Sequence, residues 1–504
     1  MDYWIWSLLV VTLTYAITSI YRQLSYFSRW GIPHPREMPI VGAIYALFFP
    51  RRHINDFIKY IYDFNPDAKY VGAHIFTKPT IFIRDLDLVK TVLVKHFDHF
   101  ADRKTFVDEK ADPLFGRNLN FLNGDRWKEI RTILSPAFTS SKMKTMYVLM
   151  SKCAENFTDE FLKKYGDAEA VDMKGAIGKY TNDTIASCAF GIEVDSMKDP
   201  NNEFYLQAKE INFKGVTLLK IQLEMIFPTL TRKFGMRIVS KKVTDFFVNA
   251  IATTMSVREE QGIFRPDMLQ LMMEARSKMD KEAAERFDLL EMTAQAFLFF
   301  LAGFDASSNQ FCIIAHELAA NPDIQSRLQA EVDDLMQKCD NKPTYDALNH
   351  MPYMDAVISE SLRRHPIAFL NRLCSKEFEL PPAVPDSKPY TMKPGDGLMI
   401  PVAGIHMDPN LYPNPERFDP DRFIDKKIAI SDVTNLGFGL GPRMCIGNRF
   451  AILSMKSLLV QLLSRCNLVP CSKTCIPLEY CKNIFAPTPK NGFWLRIEPR
   501  TESR

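Results

Sequence analysis

The run Gln295-Ala296-Phe297-Leu298-Phe299-Phe300-Leu301-Ala302-Gly303-Phe304 is apolar on nearly every side of a helix. Such a helix has no face for water, so it must be surrounded by a large protein core or by lipid. Asp305 interrupts the run well short of the roughly 20 residues that span a bilayer. The chain must therefore build a core around it. Asp288, with Glu291 three residues on, forms a capping-box pattern at its start, and Asn321-Pro322 closes it. A long buried helix between those limits calls for a thick, mainly α body, which 504 residues with 46% hydrophobic content can supply. Length alone suggests about three domains, but no internal repeat or low-complexity tract divides the chain.

The N-terminus is a second constraint. Tyr3 to Tyr21 is 19 residues without a charge, and a helix of that length reaches roughly 28 Å. Residues 1–22 read as an uncleaved membrane anchor, with Tyr3, Trp4 and Trp6 at the far interface. Arg22 and Arg29 follow it and keep the rest of the chain on the cytosolic side. A cleaved signal peptide would want a basic start and small residues at a cleavage site, and Ser25-Tyr26-Phe27 offers a poor one. Residues 23–45 hold Gly31, Pro33, Pro35, Pro39 and Gly42 and read as a stiff linker. Residues 46–504 form the body. Strand-like runs occur at Lys69–Gly72 and Thr80–Ile83, helical signals dominate from Asp85 to about Glu331, and Pro-rich loops fill 381–420. A last helix is expected from just after Cys445 to about Arg465, then strands and turns from Leu468 to Glu498. A net charge of +3 gives no reason to expect nucleic acid. The ten cysteines are irregularly spaced and suit a reducing compartment. Cys471, Cys475 and Cys481 lack a Cys-x-x-Cys pair or a nearby histidine, so a zinc site there is poorly supported.

The segment Phe438-Gly439-Leu440-Gly441-Pro442-Arg443-Met444-Cys445-Ile446-Gly447 fits F-x-x-G-x-R-x-C-x-G. Five fixed residues at that spacing occur by chance on the order of once in 10⁴ chains of this length. It resembles the haem-ligand loop of the cytochromes P450. The resemblance implies a mainly α fold with small β-sheets, in a single triangular-prism haem domain, and haem b as cofactor. Cys445 is then the axial metal ligand, with the following helix end favouring its thiolate. Arg443 pairs with a propionate, Phe438 shields the sulfur, and Gly447, with Gly439 and Gly441, lets the backbone approach the ring. Trp127 and Arg131, one turn apart in W-x-x-x-R, and Arg103 in Phe100-Ala101-Asp102-Arg103 are further propionate partners by the same resemblance. Read alone, Trp127 would be core and Arg131 a solvated charge. Glu360-Ser361-Leu362-Arg363 and Pro415-Glu416-Arg417-Phe418 resemble the family's buried ionic lock, implying that Glu360, Arg363 and Arg417 meet.

Ala302-Gly303-Phe304-Asp305-Ala306-Ser307-Ser308 resembles the oxygen-activating segment A-G-x-D-T-[ST], with Asp305 as the acid and Ala306 where the family has threonine. Alanine has no hydroxyl to donate, so an ordered water, or Ser307 on a distorted helix, must take over, and coupling of reductant to product should suffer. The resemblance implies a monooxygenase placing one atom of dioxygen in an apolar xenobiotic, lipid or hormone. Electrons would come from NADPH through cytochrome P450 reductase, with cytochrome b5 as a second donor. The expected setting is the endoplasmic reticulum membrane with the catalytic body cytosolic. Ala306 keeps open an isomerase or dehydratase acting on lipid hydroperoxides without external electrons. A non-catalytic haem sensor is the third class. Phe100–Arg103 and the Leu134–Met143 run resemble insect detoxification families six and nine and vertebrate family three. Expected pocket lining is Phe106, Phe115, Phe121, Phe300, Phe304, Ala368, Phe369 and Phe485.

Overall fold

In the computed structural model, residues 2–48, 52–105, 107, 109–211, 217, 219–221, 223, 227–367, 369–426, 432–482 and 489–500 are described. Phe106, Ala368 and Phe485 lie outside them. The chain opens with α1 (Asp2–Leu24). Two helices are long and apolar enough to cross a membrane, but they differ in surroundings. The Tyr3–Leu24 stretch is wholly exposed, whereas the Leu289–Ala320 stretch is walled by protein along its inner faces. The second is the core helix of the body.

Segment 23–45 is packed against the body. Phe27 is buried beside Gly72, where a Cβ would lie only 2.3 Å from the Phe27 ring. Gln23 donates to the Phe76 carbonyl and accepts from the Ile40 amide, each at 3.1 Å. The Tyr26 and Tyr390 hydroxyls meet at 2.9 Å. These contacts join the N-terminal segment to a four-stranded sheet. Its hairpin strands are β1 (Tyr70–Ile75), buried throughout, and β2 (Lys78–Ile83), buried from Thr80 to Ile83. The sheet is completed by β3 (Leu370–Leu373) and β4 (Gly397–Ile400), in the order β1-β2-β4-β3.

The main core is helical. It gathers α2 (Gly124–Leu134), α3 (Ser140–Tyr165), α4 (Met173–Ile185) and α5 (Lys241–Gln261) around α6 (Leu289–Leu301). The α6 start matches the sequence reading, since Asp288 caps the Glu291 amide at 2.7 Å. Its end differs. A π-turn at Ala302–Ala306 separates α6 from α7 (Ser307–Ala320). The Phe304 carbonyl holds that turn, accepting from the Ser307 amide and from the hydroxyls of Ser308 at 2.6 Å and Thr181 at 3.1 Å. Gly303 lets α4 approach: a Cβ there would lie 2.3 Å from Ile185 Cδ1. The body is completed by α8 (Pro352–Arg364) and α9 (Asn448–Leu463), and a three-stranded sheet holds Val171–Asp172, Cys466–Val469 and Trp494–Pro499.

The ionic lock forms with a change of partner. Glu360 and Arg363, both fully buried, make two bonds at 2.7 and 2.8 Å. The second arginine beside Glu360 is Arg422, at 3.5 Å, not Arg417. Arg417 is exposed and contributes only its carbonyl. Pro420-Asp421-Arg422-Phe423 repeats the Pro-acid-Arg-Phe pattern five residues downstream. Its short helical turn at Pro420–Lys426 carries Arg422 inward.

Candidate haem-thiolate site

The Cys445 loop is shaped by local geometry. Gly439 and Gly441 have φ of 78° and 76°, a region closed to most side chains. At Gly441 space forbids one as well, because a Cβ would sit 1.9 Å from the Leu93 carbonyl oxygen. The Cys445 amide donates to the Phe438 carbonyl at 2.9 Å, closing the loop. Gly447 caps the start of α9. Burial pushes the Cys445 thiol up, while the Gly447 amide, Arg131 and Arg103 pull it down. Desolvation wins for the free thiol, contrary to the expectation from the helix end alone. A coordinating metal reverses this, since it deprotonates a thiol outright. Cys445 is nevertheless accessible. A desolvated yet accessible sulfur faces an internal space rather than bulk water.

Four arginines surround that loop. Arg443 stacks over the Trp127 ring at 4.1 Å and donates to the carbonyls of Ala101 and Leu122, both at 2.8 Å. Arg131 donates to the Met444 carbonyl at 3.1 Å, and Arg103 to the Arg443 carbonyl at 3.2 Å. Arg372, on β3, is almost fully buried. Burial, then mutual repulsion, pushes Arg443 down to about 8 and Arg372 down to about 9. Arg443 Nη1, Arg103 Nε and Arg372 Nε are buried without an acceptor among the described residues. Asp102 offsets part of that charge, but a cluster of cations with spare donors and no ion-paired carboxylate among the described residues is built for an anion. The two propionates of a haem fit that demand. Among the described residues no group of three or more His, Cys, Asp or Glu could hold a bare ion. A lone thiolate suits a metal that brings its own ring of ligands.

Arg372 was missed in the sequence, although a signal existed. Strand residues two apart share a face, and Leu370 and Arg372 are both on the buried face of β3. An arginine on an apolar face needs an anion to justify it.

The central helix reaches the loop through Phe138, whose ring packs with Phe299 at 5.5 Å and lies 3.7 Å from the Cβ position of Gly447. Ala302, Asp305 and Ala306 are accessible on the π-turn, which follows the mostly buried α6. Asp305 pairs with Lys174 of α4 at 2.9 Å, and Lys174 also donates to the Ser308 hydroxyl at 2.9 Å. Ser308 is fully buried and its proton is committed to backbone carbonyls, so it does not face the accessible side. Ser307 is half-buried beside Ala306. Of the expected lining, Phe300 is core, clustered with Phe190, Phe204 and Phe247. Phe115 is buried against Phe297, Phe304 stacks on Phe300 at 5.9 Å, and Phe121 and Phe369 are half-buried.

The cytochrome P450 family model matches residues 32–496. The chain is 41% identical to cytochrome P450 9e2 of Blattella germanica, over 99% of this chain and 98% of that one. It is 35% identical to probable cytochrome P450 9f2 of Drosophila melanogaster, over 94% and 95%. Cytochrome P450 6A1 of Musca domestica is 34% identical, over 96% and 97%. With this loop, this arginine cluster and these relatives, the chain belongs to the cytochrome P450 family, the haem-thiolate oxidoreductases of the monooxygenase class.

Proposed function

We propose that this enzyme places one atom of dioxygen in an apolar organic substrate, a xenobiotic or an endogenous lipid or hormone. NADPH supplies electrons through cytochrome P450 reductase, with cytochrome b5 as a second donor. The protein sits in the endoplasmic reticulum membrane by α1, with its body in the cytosol. The observation carrying the reading is the accessible Cys445 beside four arginines, three of which hold buried donors without an acceptor among the described residues. Cys445 would hold haem b through its thiolate, and the group would supply the oxygen chemistry. Arg103, Arg131, Arg372 and Arg443 hold the propionates, and Trp127 supports Arg443 from below. Phe438 and Gly447 frame the sulfur.

The chain's own part in proton delivery centres on Asp305. Its carboxylate is partly exposed and tied to Lys174, which is also partly exposed, so the pair has access to solvent. Ala306 leaves the accessible face without a hydroxyl, and Ser307 or an ordered water completes the path.

Reduced protein with carbon monoxide should show the red-shifted band of thiolate ligation, and Cys445→Ala should abolish it. Turnover should be screened with fatty acids, steroids and plant toxins, with and without NADPH and reductase. Ala306 favours one second reading. NADPH-independent rearrangement of a fatty-acid hydroperoxide, without NADPH-dependent product, would make the enzyme an isomerase or dehydratase.

A further inference from the structure

The segment 117–123, which leads into α2, carries three asparagines, Asn118, Asn120 and Asn123. It is fastened to the central helix. Gln295 of α6, fully buried, donates to the Arg117 carbonyl at 2.8 Å and accepts from the Leu119 amide at 2.9 Å. Asn118 secures the segment from within, donating to the Leu114 carbonyl at 3.0 Å and accepting from the Asn120 amide at 3.1 Å. The other two asparagines turn toward the arginine cluster. Asn123 Oδ1 accepts from the Arg103 amide at 2.9 Å and from Arg443 Nη2 at 3.2 Å, while its Nδ2 donates to the Arg103 carbonyl at 2.9 Å. Exchanging that oxygen and nitrogen would set an NH2 group against two N–H donors, so the network fixes the orientation of the amide. Asn120 Oδ1 accepts from Arg103 Nη1.

The division of work between amides and acid is informative. Asp102, beside Arg103 in sequence, directs its carboxylate to the Gly124 amide, at 2.8 Å, and makes no ion pair with an arginine among the described residues. The guanidinium donors go to uncharged acceptors instead. Arg443 bonds the Ala101 and Leu122 carbonyls and Asn123; Arg103 bonds Asn120 and the Arg443 carbonyl. Left over are Arg443 Nη1 and Arg103 Nε, buried and without an acceptor among the described residues. A neutral acceptor fixes the plane of a guanidinium and leaves its charge intact. A carboxylate in the same place would fix the plane and also cancel the charge that an incoming anion needs.

We infer that Asn123, aided by Asn120, is a positioning residue that holds Arg443 and Arg103 ready for the propionates, and that its lack of charge strengthens the hold on the cofactor and raises the reduction potential of the iron. Both asparagines act through the arginines. The inference rests on the haem-thiolate reading of the site, and its test separates the two.

Asn123→Asp keeps the shape and the acceptor oxygen but adds a charge. Asn123→Ala removes the bonds and adds none. Both lose the donor to the Arg103 carbonyl, so their comparison isolates the charge. In the full-length, haem-loaded protein, haem release is followed by transfer to apomyoglobin and the iron potential by redox titration. Asn123→Ala should release haem about fivefold faster, the size of one net hydrogen bond, with the ferric–ferrous equilibrium within about twofold of the natural one. Asn123→Asp should release it faster still, by about tenfold or more, and move that equilibrium about fivefold toward ferric, because a new anion favours the more positive iron. A residue that only supports the fold gives the reverse order: the near-isosteric Asp is milder than Ala, and the potential stays put. Asn120→Asp sets the same charge beside Arg103 from an exposed position. It should shift the potential in the same direction by a smaller factor, and it decides the matter if Asn123→Asp fails to load. Release from Asn123→Asp no faster than from Asn123→Ala, or an unmoved potential in the aspartate variants, overturns the inference alone. A natural protein without the red-shifted carbon monoxide band overturns the haem reading, and this inference with it.

Discussion

At the scale of single residues, Ala306 is the position with the largest chemical consequence. General acid assistance is typically worth 10²–10⁴-fold. Asp305 retains the acid, but the accessible face beside it has no hydroxyl. Ala306→Thr should therefore raise the fraction of NADPH ending in product and lower hydrogen peroxide release, measured at saturating substrate. The added bulk should also weaken substrate binding. If the natural enzyme already couples nearly completely, Ser307 or water performs the task unaided. Arg417 and Arg422 make a second contrast. Arg422 lies beside the buried Glu360, and Arg417 is exposed. Arg422→Ala should destabilise by about 2 kcal/mol, the size of a hydrogen bond to a charged group. Arg417→Ala should stay within about 0.5 kcal/mol, both read from denaturant midpoints. The two Pro-acid-Arg-Phe blocks look alike in sequence. Which arginine turns inward depends on the helical turn at Pro420–Lys426, a feature of the folded chain. Cys445 was legible because its loop is fixed by neighbours in sequence. Arg372 was not, because its partners arrive from three other segments.

At the scale of elements, the central helix shows both what a sequence reveals and what it hides. Its start was readable, since a cap acts within one turn and Asp288 binds the Glu291 amide as the pattern requires. Its break at Ala302–Ala306 was anticipated only as a possible distortion, because no proline forces it. The turn is stabilised from outside, by Thr181 of α4. Glu291 itself is buried and pairs with Arg126 at 2.8 Å. Burial pushes its carboxyl from 4.5 up to about 7, against the pull of Arg126 and Arg117. The folded chain then keeps a proton that the unfolded chain releases above about pH 4.5. Stability must fall as pH rises from there to about 7, and level off beyond. Glu291→Gln removes the titration. Its stability relative to the natural protein should rise by roughly 2–3 kcal/mol across that window, seen as a melting-temperature difference that grows from pH 5 to pH 7 and then stays constant.

At the scale of the whole molecule, the N-terminal segment and the body meet through packed contacts. A stiff linker was expected at 23–45 because its prolines and glycines break helices. The apolar residues between them, Phe27 and Ile32 above all, are buried. This locates the proper cut. Removing residues 2–22 should release the protein from membranes and leave haem loading intact. Removing residues 2–29 also takes away Phe27, a loss of about 3–5 kcal/mol on the scale of a buried Phe→Ala change. Flotation with lipid vesicles and the thermal stability of the loaded body distinguish the two truncations. The arginine cluster has a further consequence, for the haem-free chain. Four like charges gathered inside one fold repel until a dianion joins them. Chains without the bound dianion should then be looser than loaded ones, read as a lower melting temperature and faster proteolysis of the haem-free protein.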